Sequence, residues 1–250
     1  MTLTIFAIIF TFSAIAIGRD GTAKALIGIL GNIIVITALI FSVWMGINEW
    51  LAIIISCVLM TAISLFYQSE NKQKNRIAAM SVLLMMVLLA GFSYLIIYLA
   101  NLQGFPTGQV SIRPANGYKA EVGVNFFALQ MGVVLIMLEG AMVDTAISVV
   151  SSMEEVTKHA ELSARDLFNS GMAVGRGILS STINTLFFIF LGQNLVFFIF
   201  FRNEFTVESM LNSKILAQEL TSVLISAIGC VLIIPVAAFL SSRYTVSYTH

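Results

Sequence analysis

The chain has 250 residues, 58% of them hydrophobic and only 10% charged, with 13 Lys and Arg against 13 Asp and Glu and a mean hydropathy of +0.96. A soluble domain carries about a quarter charged residues, so this composition excludes an ordinary soluble domain and implies repeated passage through lipid. The basic residues are scattered at zero net charge, which excludes the phosphate-gripping stripe of a nucleic-acid binder, and Cys57 and Cys230 stand alone in apolar runs, which excludes a disulfide framework or a zinc site.

In chain order, the first apolar run, residues 2–17, has neither a positive residue before it nor a small-x-small cleavage site after it, so it reads as a short retained anchor rather than a signal peptide. About 17 to 25 apolar residues are needed to cross the hydrocarbon of a bilayer. Six further runs qualify, at 25–44, 51–67, 77–100, 126–150, 178–201 and 217–240. The prediction is therefore an all-α, polytopic transmembrane bundle of about seven spans, forming one membrane domain over 1–250. Continuous runs, rather than short alternating ones, favour helices over a barrel.

Lys and Arg set the expected orientation, because positive loops stay cytoplasmic. With the N-terminus outside, the inner segments hold Arg19, Lys24, Lys72, Lys74, Arg76, Lys158, Arg165, Arg176 and Arg243, whereas the outer ones hold only Arg113, Lys119, Arg202 and Lys214. The C-terminus then lies inside, and the short basic segment "QSENKQKNR" (68–76) carries most of the assignment. The segment 101–125, with Pro106, Pro114 and four glycines, is expected as an irregular outer loop. The segment 151–177 is expected as a polar cytoplasmic connection in which Ser163 and Asp166, at capping-box spacing, start a helix near Ala164.

Within the spans, the acids stand out: an ionised carboxylate in lipid costs about 2.5–3.5 kcal/mol on insertion scales, so it must be solvated, paired or protonated. In "VLIMLEGAMVDTAISVVSS" (134–152), residues three and four apart share a helix face, which groups Asp144 with Ala141, Thr145, Ser148, Ser151 and Ser152. Glu139 lies about 140° away round the helix, so the two acids do not make a neighbouring pair. The sixth span repeats the pattern with Ala173, Arg176, Gly177, Ser180, Ser181 and Asn184. The seventh does so with Glu219, Ser222, Ser226, Gly229 and Cys230, followed by Pro235, where the lost backbone donor predicts a kink.

The expectation is that these three stripes face one another around a polar core of Asp144, Arg176, Asn184, Glu219, Ser148, Ser151 and Ser180. Asp144 would meet Arg176 near the cytoplasmic side, with Glu219 toward the opposite face. Small-residue stripes also mark close helix packing alone, and both readings stay open. A proton relay needs a neutral Asp144, and a structural ion pair needs a charged one.

Four stretches, "GRDGTAKALIGILGN", "GAMVDTAISVVSSMEEV", "ELSARDLFNSGMAVGRGILSSTINTLFFIFLG" and "NSKILAQELTSVLISAIGCVLIIPVAA", resemble the YibE/F-like family of bacterial multispanning membrane proteins, in its shorter YibF type. The resemblance covers nearly the whole chain. It places Gly140, Asp144, Ser151, Ser170, Gly171, Gly175, Arg176, Asn184, Glu219, Gly229 and Pro235 at family positions. Gly140, Gly171, Gly175, Gly229 and Pro235 are the expected helix-packing positions. The chain departs from the family where Gly177 stands in place of an acid and where Glu139 replaces a small or apolar residue.

The resemblance implies an integral protein of the bacterial plasma membrane, with no established biochemical activity. Its expected partners are the lipid bilayer, a YibE-type chain with an extracytoplasmic domain, and further copies of itself as a homo-oligomer. Two functions compete: a permease-like subunit of a two-component complex, with its path lined by the last three spans, and a non-transporting scaffold that binds a partner through its loops. An enzyme is not expected, nor a cofactor or metal. The chain has no nucleophile elbow, no GxxxxGK[ST], and no ligand cluster around His159 or His250.

Overall fold

The computed structural model describes residues 2–67, 72–102, 111–112, 120–121, 123–159, 163–204, 206, 208 and 212–246. Most of the outer segment 101–125, the start of the basic 68–76 segment and His250 lie outside the described residues. The helices are α1 (Thr2–Trp44), α2 (Glu49–Ala62) with a π-helical continuation (Ile63–Tyr67), α3 (Lys72–Leu99), α4 (Phe126–His159), α5 (Ala164–Glu204) and α6 (Lys214–Val246). Ser111–Ile112 and Ala120–Glu121 pair as a small antiparallel ladder, Ser111 opposite Glu121, where an irregular loop was expected.

Six helices are long and apolar enough to cross a membrane, and the run Thr4–Ile17 is a shorter apolar helix outside that set. The expected first two spans are one continuous helix, because Gly18-Arg19-Asp20-Gly21 continues α1 instead of breaking it. Glycine weakens a helix by only about 1 kcal/mol relative to alanine, so Gly18 and Gly21 are not decisive within a helix of 43 residues. The chain forms two compact units, residues 1–76 and 77–250.

In the first unit, Gly46 (φ 76°) turns the chain after α1, and Asn48 caps α2 by accepting from the Trp50 and Leu51 amides at 3.0 and 3.3 Å. Gly31 of α1 lies against Ile63, so that a methyl there would sit 3.3 Å from its Cγ2, and Asn32 donates to the Ser64 hydroxyl at 3.2 Å.

In the second unit, α3 buries Ala78, Val82, Met85, Leu89 and Ile97, close to the three-and-four spacing of a helix that packs on one face. It ends on Asn101 at φ 51°, with the Leu102 amide reaching back to the Ile97 carbonyl at 3.0 Å, a left-handed cap that asparagine tolerates. Tyr94 meets Phe127 of α4 edge-on at 5.1 Å. Helices α4, α5 and α6 pack on one another. At one end an aromatic and leucine cluster forms around Phe190, Leu216 and Val223, joined by Met137 and Phe187.

The segment expected as a polar connection, 151–177, is largely helix: α4 runs to His159 and α5 begins at Ala164. At 1.5 Å per residue α4 is about 51 Å long and α5 about 62 Å, both longer than a hydrocarbon core of about 30 Å. The start of α5 is as its sequence requires. The Ser163 hydroxyl accepts from the Asp166 amide at 3.2 Å and donates to the Asp166 carboxylate at 2.6 Å, satisfying one of the orphan amides of the first turn. Helix α6 continues through Pro235.

Candidate functional site

The two acids of α4 have opposite surroundings. Glu139 is 2% exposed, while Asp144 is exposed on the surface of the second unit. Five residues of helix turn them about 140° apart, and Asp144 shares the exposed strip of α4 with Val133 and Gly140.

Between α4 and α6 the polar contacts are internal. Gln130 donates to the Ser222 hydroxyl at 3.4 Å, and Ser222 donates in turn to the Gln218 carbonyl at 2.9 Å. Ser226 donates to the Ser222 carbonyl at 2.9 Å. Gln130, Gln218, Ser222 and Ser226 are all buried. The seam continues at the Ala141 carbonyl, which accepts from the Thr145 hydroxyl at 2.9 Å and from the Cys230 thiol at 3.6 Å. Hydroxyls that bond the carbonyl four residues back are satisfied within their own helix, which is how serine and threonine enter an apolar bundle at low cost.

The glycines explain how closely the helices approach. A methyl on Gly175 would meet Ile234, one on Gly171 would meet Met153 and Ala238, and one on Gly229 would meet Leu138 and Met142. These three positions leave no room for a larger side chain. At Gly140 a methyl would meet nothing within 4 Å among the described residues.

The remaining expected site residues divide between surface and seam. Arg176, Ser180 and Asn184 are exposed on α5, Ser148, Ser151 and Glu219 are half-buried, and Pro235 is half-buried in α6. Ser148 donates to the Asp144 carbonyl at 2.8 Å. Among the described residues no ion pair joins Asp144 to Arg176. The α6 stripe therefore faces inward, toward α4, whereas the stripe of α5 faces outward. Gln130 and Gln218 are buried polar side chains that the sequence reading did not put in the core, and so is Glu139. Their signal was an amide inside an apolar run, with Gln218, Ser222 and Ser226 repeating every four residues. Among the described residues no group of three or more His, Cys, Asp and Glu is placed to hold a metal ion.

Six spanning-length apolar helices define a multi-pass α-helical membrane protein. Within that class the chain belongs to the YibE/F-like family, whose profile matches residues 6–246. No curated protein and no solved structure matches it.

Proposed function

We propose that this chain is a permease-like subunit of a bacterial plasma-membrane complex, working with a YibE-type chain that supplies an extracytoplasmic domain. The observation that carries this reading is Glu139, an acid 2% exposed within the apolar run of α4, in a unit whose α4–α6 seam also buries Gln130 and Gln218. An ionisable side chain kept inside a membrane bundle is expensive, and such residues mark ion and proton paths. The exposed Asp144, Arg176 and Asn184 support the subunit part of the proposal, since a self-sufficient permease would turn such residues inward. The reading is not enzymatic: the two acids of α4 point to different surroundings and make no dyad.

The test is flux in proteoliposomes that contain this chain with its YibE-type partner and a trapped pH indicator, with a potassium gradient and valinomycin setting the potential. Proton entry above protein-free vesicles is expected, falling at least tenfold in Glu139→Gln at unchanged protein incorporation. Equal flux from variant and wild type would remove the path. The outward polar stripe of α5 favours the second reading, a scaffold that carries nothing, for which no flux would be measured in any variant.

The basic segments orient the protein by the positive-inside rule, with residues 68–76 and the α4–α5 connection cytoplasmic. Continuous with the first span, Thr4–Ile17 makes no second crossing, so this assignment puts the N-terminus on the cytoplasmic side and leaves every later segment where it was expected. Ser69→Cys is expected to be blocked only by reagents admitted to the cytoplasm and Asn116→Cys by an impermeant reagent added outside. Labelling of both from one side would reverse or abolish the assignment.

A further inference from the structure

Contacts between the helices fix how deep each part of the second unit sits. Tyr94 and Tyr98 of α3 are exposed and stack at 6.2 Å, and Tyr94 meets Phe127 at the start of α4, the aromatic belt of a membrane–water boundary. Hydrocarbon about 30 Å thick takes roughly 20 residues of helix, so α4 reaches the opposite boundary near Ala146. Cys230 bonds the Ala141 carbonyl, which puts that boundary near Pro235 on α6. Ile234 meets Gly175, which puts it near Gly175 on α5. Arg176 therefore lies among head groups and water, whereas Asn184 lies about 14 Å further in, at mid-membrane.

Asn184 is exposed at that depth. The hydroxyls of Thr182 and Thr185, beside it on α5, donate to carbonyls four residues back at 3.2 and 2.9 Å. Neither Asn184 nor Ser180 makes a hydrogen bond among the described residues. An amide at mid-membrane has no water to bond, and its short side chain cannot reach the head groups, so its donors and its acceptor require a polar group on a neighbouring helix. The face around it has the pattern of a helix contact. Gly177, Ser180, Asn184, Phe188, Leu191 and Leu195 are all exposed, at the three-and-four spacing with which one helix lines another. The half nearer Gly175 is small and polar, and the other half is large and apolar.

We propose that two copies of this chain pair through this face of α5, with the Asn184 amide of each copy hydrogen-bonded to the Asn184 amide of the other. A two-fold axis along the membrane normal brings together residues of equal depth and makes every contact reciprocal. Asparagine carries both donors and an acceptor, so two copies of the one side chain satisfy each other with no further group. The same axis sets the small, polar half of the face against itself and the apolar half against itself. A second copy therefore meets the face at every depth, which a chain of another sequence would have to match independently. One polar side chain in an otherwise apolar helix contact also fixes register and the number of copies. The pairing does not depend on transport, and its test leaves Glu139 untouched.

The experiment measures energy transfer between full-length chains labelled with donor or acceptor dye, in vesicles of phosphatidylethanolamine and phosphatidylglycerol at graded protein-to-lipid ratios. Wild-type chains are expected to pair. Asn184→Leu should weaken pairing about tenfold, the effect of losing a hydrogen-bonded contact between membrane helices. Asn184→Gln keeps both donors and the acceptor, and pairing close to wild type is expected. Leucine suits a lipid-facing position, so the thermal midpoint of Asn184→Leu should not fall, which separates lost pairing from lost folding. In parallel, Ser180→Cys should cross-link copy to copy under mild oxidation, and Leu232→Cys, on the apolar face of α6, should not. Three results would each overturn the proposal: single-molecule photobleaching in bilayers that counts one wild-type chain per spot, Asn184→Leu chains that pair as tightly as wild type, or a Ser180→Cys link formed to residues 1–76 of the same chain or to a YibE-type chain. The last would show that a different helix covers this face.

Discussion

Gly175→Val is expected to cost the second unit about 3 kcal/mol, at the upper end of overpacking effects in well-filled interiors. The added branch would start where Ile234 already stands, with Ile234 Cγ1 and Cβ 3.1 and 3.2 Å from the new Cβ. Ile234 is itself β-branched and 3% exposed, so its side chain has one favoured χ1 in a helix and no space into which to turn. Relief requires α5 and α6 to separate. Gly140→Ala makes the contrasting case. The methyl meets nothing within 4 Å, and alanine is the better helix former by about 1 kcal/mol, so stability should hold or rise slightly. Midpoints of thermal aggregation in detergent, measured on both variants beside wild type, check the pair. A Gly175→Val protein as stable as Gly140→Ala would show that α5 and α6 do not pack here.

The second large effect is a size exchange between α4 and α6. Leu138 is fully buried and is the nearest neighbour of the place where a methyl on Gly229 would stand. Leu138→Ala should cost about 2–5 kcal/mol through lost contacts and the cavity left behind. Gly229→Ala should cost about 1–3 kcal/mol, because Met142 at 3.2 Å and Leu89 at 3.4 Å from the new methyl hold the site closed from two other sides. Made together, the new methyl enters the space that the leucine vacated. The double variant should then recover about 1–2 kcal/mol relative to the sum of the single losses, the sign of coupling expected for touching residues. Additive losses in the same thermal measurement would place Leu138 and Gly229 out of contact.

Several features were legible before any coordinates. Apolar runs longer than a bilayer is thick announced the spans, and the Ser163–Asp166 spacing announced the start of α5, since both depend on residues close together along the chain. Gly229 was marked by its helical recurrence in the last span, and Gly171 and Gly175 by the family resemblance alone. The same local reasoning failed at residues 18–21, where glycines and charges suggested a break and α1 instead continues. A few tenths to 1 kcal/mol of propensity does not outweigh the apolar helix on either side.

By itself the sequence determined that the chain lives in lipid as a bundle of helices, because hydrocarbon leaves the backbone no other way to satisfy its hydrogen bonds. It also determined which side chains share a face of each helix, through the fixed turn of the helix. Only the tertiary structure decided which faces turn inward. Periodicity gives the angle between two residues on one helix and says nothing of where its neighbours stand. Asp144 and Glu139 were thus known to point apart, yet it took the packing of α4 against its neighbours to bury the glutamate and leave the aspartate on the surface.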